Sequence, residues 1–266
     1  MSTLPAMEFL QAVPPGPAVA PERLYTGMDL ASKAPDGRPY LICNFAASAD
    51  GKATAGGTSG ALGGDGDKRL FRLLRTQVDA VMAGTGTLRV ERYGPLVTSE
   101  VMLGIRAAEG RAAQPLAVTV SRSGDIPFDI PLFADPSSHV AVFVPPGTAV
   151  PDHGARITAH PLPAAGKADG GDGAGSELTA VLATLRRDHD VRSVLCEGGP
   201  LLFDALLAED LADELFLTLS PVLVGGAERG ITAGPSLPAP RPMRLTWTLE
   251  RDDHLFLRYT RERDAP

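Results

Sequence analysis

From Pro39 the chain reads PYLICNFAAS, a near-continuous apolar run of strand length, and a strand without a polar face is one buried on both sides of a sheet. After the small residues of GKATAGGTSGALGG, the segment DKRLFRLLR sets Leu70, Leu73 and Leu74 at helical spacing with charges between them, which predicts an amphipathic helix. VDAVMAG, PLAVTVS and HVAVFVP read as three more apolar strands, the first followed by the turn GTGT and a short helix from about Leu88. Further on, ELTAVLATLRR predicts a helix, VRSVLCE a strand, PLLFDALLAE a helix and DELFLTLSPVLVGG a long strand region. RLTWTLERDDHLFLRYTRE alternates on either side of Arg251, Asp252 and Asp253, a hairpin signal. Strands and helices in turn place the chain in the α/β class. Two stretches lack periodicity. Residues 1–37, with six prolines, read as an irregular Pro-rich N-terminal arm lying on the surface or on a partner subunit, and residues 161–176, made of Gly, Ala, Asp and Pro, as a flexible surface loop. Residues 38–266 are then one domain.

Composition narrows the function classes. The 266 residues are 44% hydrophobic and 21% charged, a globular balance, and no stretch approaches the roughly 18 unbroken apolar residues of a membrane span. The first basic residue is Arg23, so no basic leader opens the chain and a cytoplasmic protein is expected. With 32 acidic against 25 basic residues the net charge is -7, and no basic patch offsets it, which argues against nucleic acid as a partner. Cys43 and Cys196 sit in apolar runs and read as reduced core thiols. The five histidines are scattered, and neither H-E-x-x-H nor C-x-x-C occurs, so no metal site is expected.

The common enzyme motifs are absent. No G-x-x-x-x-G-K-[ST] is present, and Gly57-Thr58-Ser59-Gly60-Ala61 lacks the last glycine of a nucleophile elbow. What remains are two glycine turns after apolar strands, Gly84-Thr85-Gly86-Thr87 and Gly198-Gly199-Pro200, each opening a helix. Unpaired N–H groups and the helix dipole suit a phosphate there, and two such turns on one sheet suit a dinucleotide; the ordinary alternative for either alone is a tight strand-to-helix turn. A Rossmann fingerprint fits poorly, because the third glycine and the later acidic residue are missing. Ser121 and Arg122, at the end of the next strand, suit a ribose 2′-phosphate and so favour NADPH over NADH. Asp50 lies in an Asp-Gly turn after the first core strand. Glu197 ends an apolar strand, where a carboxylate needs a partner or a role.

SADGK at 48–52, GTSGAL at 57–62, LLR at 73–75, DAVMAGTGT at 79–87, and EGGPLL with ADELFLTLSPVLVGG within 197–226 stand in the order and spacing of one family. The chain resembles the reductase domain of the riboflavin-biosynthesis deaminase-reductases over about residues 38–262, in a stand-alone form, since the H-x-E and P-C-x-x-C of the zinc deaminase do not occur. The resemblance implies a dihydrofolate-reductase-like fold, a central mixed and mostly parallel sheet flanked by helices with a C-terminal antiparallel hairpin. It implies a homodimer and NADPH-dependent reduction of a ribosylaminopyrimidine. By matched position it implies cofactor contacts at Ala47, Ala61, Thr87 and the turn from Gly199 through Pro200, Leu201 and Leu202, and substrate contacts at Asn44, Ser59, Arg75, Leu96 and Glu197. Two departures stand out: Asn44 occupies a place where the family usually has Lys, and no Arg follows Leu96. Both remove charge that a phosphorylated substrate needs, so a pterin or related heterocycle is the expected better substrate.

Together these readings describe an NADPH-dependent reductase that transfers a hydride to a C=N bond of a pyrimidine-like or pteridine-like ring, with Asp50 or Glu197 handling the proton. Two rivals are a non-catalytic module that binds NADPH or a folate, and an assembly protein built on the arm and the hairpin.

Overall fold

The computed structural model describes residues 16–162 and 177–263. Its nine strands form one sheet in the order β5-β4-β3-β2-β6-β1-β7-β9-β8. These are β1 (Tyr40–Ser48), β2 (Ala80–Met82), β3 (Leu116–Val120), β4 (His139–Val144), β5 (Arg156–Pro161), β6 (Ser193–Cys196), β7 (Glu214–Ser220), β8 (Met243–Arg251) and β9 (His254–Arg261). Neighbours from β5 to β7 run parallel, and only the C-terminal pairs β7·β9 and β9·β8 are antiparallel.

β1 is central, and its unbroken apolar run is explained by cover on both faces. Leu41, Cys43 and Phe45 pack with Leu182 of α6 (Glu177–Asp188) and Phe203 of α7 (Pro200–Ala208). Tyr40 and Ile42 face Leu70, Leu73 and Leu74 of α2 (Asp65–Thr76) and Met102 of α4 (Glu100–Ala108). Cys43 and Cys196 are register partners in β1 and β6, both buried and free, and burial pushes the Cys43 thiol pKa up, which favours its protonated form.

Four readings of the pattern change. Part of the arm is not irregular: α1 (Glu22–Tyr25) and a 3-10 turn (Leu30–Lys33) bury Tyr25 and Leu30 in the core, with the Tyr25 ring 5.4 Å from that of Trp247. Prolines hid this, since the apolar anchors are too few to show a period. The short helix α3 (Thr85–Glu91) begins inside the GTGT turn, not at Leu88. The strand region 213–226 stops at Ser220, because Pro221 has no N–H to continue the ladder. Pro161 closes β5 and Leu162 is buried, while the rest of the expected loop, 163–176, lies outside the described residues. The edge strand β5, helix α4 and the single turn α5 (Pro131–Ala134) carry too few buried apolar positions to show a period in the pattern. The hairpin is where expected, with Asp252 and Asp253 both at positive φ, as a two-residue turn requires. Among the described residues no helix is long and apolar enough to cross a membrane, and no cluster of three or more His, Cys, Asp or Glu suits a metal.

Arg106 of α4 secures the end of α2. It is 1% exposed, and with no carboxylate within 4 Å among the described residues it donates to the carbonyls of Arg75 (2.9 Å), Thr76 (3.3 Å), Val78 (2.8 Å) and Ala112 (2.6 Å). Burial lowers its pKa to about 10. The guanidinium satisfies carbonyls left open where the helix stops, and so fixes the turn that carries Arg75. Arg106→Leu should therefore lower the free energy of urea unfolding by about 3 kcal/mol or more, the cost of several buried carbonyls losing their donor. A loss under about 1 kcal/mol would show that water replaces the guanidinium.

Candidate active site

β6 lies between β1 and β2, so the chain leaves β2 and β6 as neighbours at the carboxyl ends of parallel strands, where α/β sheets hold ligands. The two glycine turns meet there. The Gly84 N–H donates to the Gly198 carbonyl (3.0 Å), and the Gly199 N–H to Thr87 Oγ1 (2.9 Å). Gly198 and Gly199 have φ of +115° and +56°, which a side chain resists. A Cβ on Gly199 would meet nothing closer than 3.5 Å, so backbone conformation, not space, calls for glycine.

An open cavity of about 1640 Å³ runs over these turns. One half is lined by Gly84 through Thr87, by Gly198 through Leu202, and by Ser121, Arg122 and Ser123 after β3. Arg122 Nε donates to both oxygens of Glu177 at 3.0 Å, and Ser121 is buried with its hydroxyl 3.3 Å from that of Ser123. The other half is lined by Asn44, Phe45 and Ala46 of β1 and by Asp67, Phe71 and Arg75 of α2. Those three helix residues stand at i, i+4 and i+8, a stripe beside the one that buries Leu70, Leu73 and Leu74.

The floor of the cavity carries a buried ion pair. Arg75 Nε and Nη2 donate to the Glu197 oxygens at 2.6 and 2.7 Å, the Tyr93 hydroxyl donates to Glu197 Oε2 at 2.8 Å, and Arg75 Nη1 donates to the Leu96 carbonyl at 2.9 Å. The guanidinium also lies 4.4 Å from the Phe71 ring centre and 5.3 Å from that of Tyr93. Burial opposes the charge on Arg75, but the Glu197 carboxylate more than offsets it and holds the guanidinium protonated more firmly than usual. Burial, then the same carboxylate, pushes the Tyr93 phenol well up. Arg75 is thus no solvated helix charge.

Several expected site residues take other places. Ala47 is buried in β1 and Ala61 is exposed, and neither lines the cavity. The Leu96 side chain is in the core, and only its carbonyl serves the site, through Arg75. Ser59 lines the cavity, but its hydroxyl donates to Glu91 Oε1 at 3.0 Å. Neither carboxylate expected to move a proton is free to do so. Asp50 is exposed outside the cavity, accepting from Ser48 Oγ (2.5 Å) and the N–H groups of Val224 and Gly225 (3.1 and 2.7 Å), which hold its pKa at about 2. Glu197 already accepts from Arg75 and Tyr93 with its side chain fully buried.

Asp67 is the carboxyl that the pattern missed. Its Oδ1 accepts from Thr218 Oγ1 at 2.6 Å, and among the described residues no cation pairs with it within 4 Å. Burial holds its pKa above the ordinary carboxylate value, although the Thr218 hydroxyl, His254 and Lys68 pull the other way. The i, i+4, i+8 spacing of Asp67, Phe71 and Arg75 was the available signal. Tyr93 and Glu177 had none, because their partners lie more than 50 residues away.

Removing one member of the ion pair should cost more than removing the turn carboxylate. Glu197→Ala leaves a buried guanidinium unpaired and should lower stability by about 3 to 5 kcal/mol, whereas Asp50→Asn should leave the cavity-floor geometry intact. Thermal unfolding of the two variants checks this, and equal losses would contradict it.

The model of the RibD C-terminal domain matches residues 39–254. A curated relative from Archaeoglobus fulgidus, named 2,5-diamino-6-ribosylamino-4(3H)-pyrimidinone 5′-phosphate reductase, is 28% identical over 192 residues, 72% of this chain and 84% of its own. Among solved structures, a pyrimidine reductase-like protein from Corynebacterium diphtheriae shares the fold with a TM-score of 0.73 at 22% identity, covering 92% of this chain and all of that one. The riboflavin biosynthesis reductase Rib7 of Saccharomyces cerevisiae does so with a TM-score of 0.64 at 15% identity, covering 91% of this chain and 98% of its own. Because the matched span runs from the residue before β1 into β9 and takes in both glycine turns and the whole cavity floor, the chain belongs to the RibD C-terminal domain family, whose curated relatives here are reductases.

Proposed function

We propose that this chain is an NADPH-dependent reductase acting on a C=N bond of a pyrimidine-type substrate. The observation that carries the reading is the pair of hydrogen-bonded glycine turns at the junction of β2 and β6, opening on one cavity that also exposes an aromatic and ionic face of α2. The donor set fits a dinucleotide phosphate: the first turn leaves open space at Gly86, α7 begins at the second turn, and Arg122 with Ser121 suits a 2′-phosphate. When bound, that cofactor supplies the hydride.

The remaining work falls to the chain. The α2 stripe with Asn44 and Ala46 makes the substrate half, and Phe71 and Tyr93 give a ring apolar faces to lie against. Arg75 is fixed by Glu197, Tyr93 and Leu96, so Glu197 acts as a positioning residue. Nitrogen left with an extra electron pair after hydride addition needs a proton, and Asp67, a half-buried carboxyl of the cavity wall that no cation pairs with among the described residues, is the group to deliver it. The absence of a Lys at position 44 and of an Arg after Leu96 is balanced by Lys68, Arg92 and Arg229, cations that line the same cavity. A phosphorylated substrate like that of the Archaeoglobus relative therefore suits this site better than an uncharged pterin. The resemblance and the exposed Leu245 and Leu255 of the C-terminal hairpin also support a homodimer.

Loss of NADPH absorbance should be faster with the phosphorylated ribosylaminopyrimidine than with any dihydropterin or dihydrofolate. No oxidation with any member of the panel, despite tight NADPH binding, favours the non-catalytic module instead. Asp67→Asn should lower kcat at least about a hundred-fold, within the usual range for a lost general acid, with NADPH affinity unchanged. The donor must be protonated, so kcat/KM should fall as pH rises through its pKa. Thr218→Val removes a bond that lowers that pKa, and should move the fall to higher pH. An unmoved profile would assign the proton to another group.

A further inference from the structure

The Arg122 end of the cavity holds a second charged group whose sign opposes the first. Glu177 is the first residue of α6, 7% exposed and part of the cavity wall, and both its oxygens face Arg122 Nε at 3.0 Å. Among the described residues no hydrogen bond holds either Arg122 Nη, and the side chain is 71% exposed. The carboxylate is not there by accident of a loose surface. Glu209, just after α7, accepts from the N–H groups of Leu178 (3.2 Å) and Thr179 (2.8 Å), and so clamps the start of α6 to the helix that opens at the Gly199 turn. Glu177 is thereby held at a fixed place relative to the glycine turns.

We propose that Glu177 is a specificity-determining residue that weakens the cavity's preference for NADPH over NADH. The inference rests on the cofactor placement proposed above. A lone guanidinium beside a ribose phosphate would favour the phosphorylated cofactor with its full charge. Here the carboxylate lies against that guanidinium and offsets much of its charge, and the same carboxylate repels a phosphate dianion. Its two oxygens share one N–H, so each keeps lone pairs able to accept from ribose hydroxyls, as the acidic residue does in dinucleotide sites that take the unphosphorylated cofactor. The pair Arg122–Glu177 thus offers a donor for a phosphate and an acceptor for a diol at one position.

Equilibrium binding of NADPH and NADH, followed by cofactor fluorescence, separates the roles without turnover. Glu177→Gln keeps an oxygen to accept from Arg122 Nε and removes only the charge; it should raise the NADPH to NADH affinity ratio about ten-fold, as expected for one charge at close range in a partly exposed site. Glu177→Asp should leave the ratio near that of the unmodified chain, and Arg122→Ala should lower it. A ratio that falls in Glu177→Gln, or stays within two-fold, would mean that the carboxylate merely holds the arginine in place, and the inference is overturned. Unchanged affinities for both cofactors in Arg122→Ala would remove the cofactor placement as well, and with it this inference.

Discussion

Everything at the site depends on β6 being threaded between β1 and β2. Parallel strands with covered faces leave their carboxyl ends as the place where backbone groups stay open, and the insertion puts two glycine turns side by side at those ends. The turns then bond to one another through Gly84, Gly198, Gly199 and Thr87, so neither half of the cradle is free to move without the other. The same insertion delivers Glu197, the residue after β6, beneath α2, where Arg75 meets it. A βαβ turn taken alone would have neither partner.

Charge in the interior follows one rule with two informative exceptions. Arg75 and Glu197 are buried together, with Tyr93 and the Leu96 carbonyl taking the remaining bonds, so the pair is closed and rigid. Arg106 is buried with carbonyls as its hydrogen-bond partners among the described residues, which a helix end can supply because its last C=O groups have no partner. Asp67 is the reverse case, a half-buried carboxyl with a hydroxyl for company and, among the described residues, no cation paired with it. A closed pair orders a site, while a carboxyl without a salt bridge is held less firmly in its charged form; the two stand on one face of the same helix, eight residues or about two turns apart.

Local pattern carries far in this chain where burial is continuous. The apolar run of β1, the leucine stripe of α2, the helices α6 and α7 and the hairpin at Asp252 and Asp253 each show in their own residues, because a period of two or of 3.6 is printed by the layer that covers them. The glycine turns were legible for a related reason: strand, glycines and helix follow one another within a few residues. Arg75 and Glu197 entered through family spacing and through the oddity of a carboxylate at the end of an apolar strand.

What tertiary structure alone decided is which distant groups share a volume. Tyr25 and Leu30 look like loop residues until Trp247 and Phe216 close over them. Asp50 and Asp67 are both short acids near turns, yet one is tied to amides at the surface and the other is desolvated in the cavity wall. Arg122 reads as a free cation from its neighbours in sequence, and Glu177, 55 residues later, changes its charge environment. The sequence by itself determined the central strands, the helices that cover them apart from α1, α4 and α5, the α/β class and the glycine turns, since each is set by neighbours along the chain. Strand order, the ion pair on the cavity floor and the partners of the cavity's carboxylates were decided only in three dimensions, because electrostatic energy depends on burial and separation, and neither is a property of a segment.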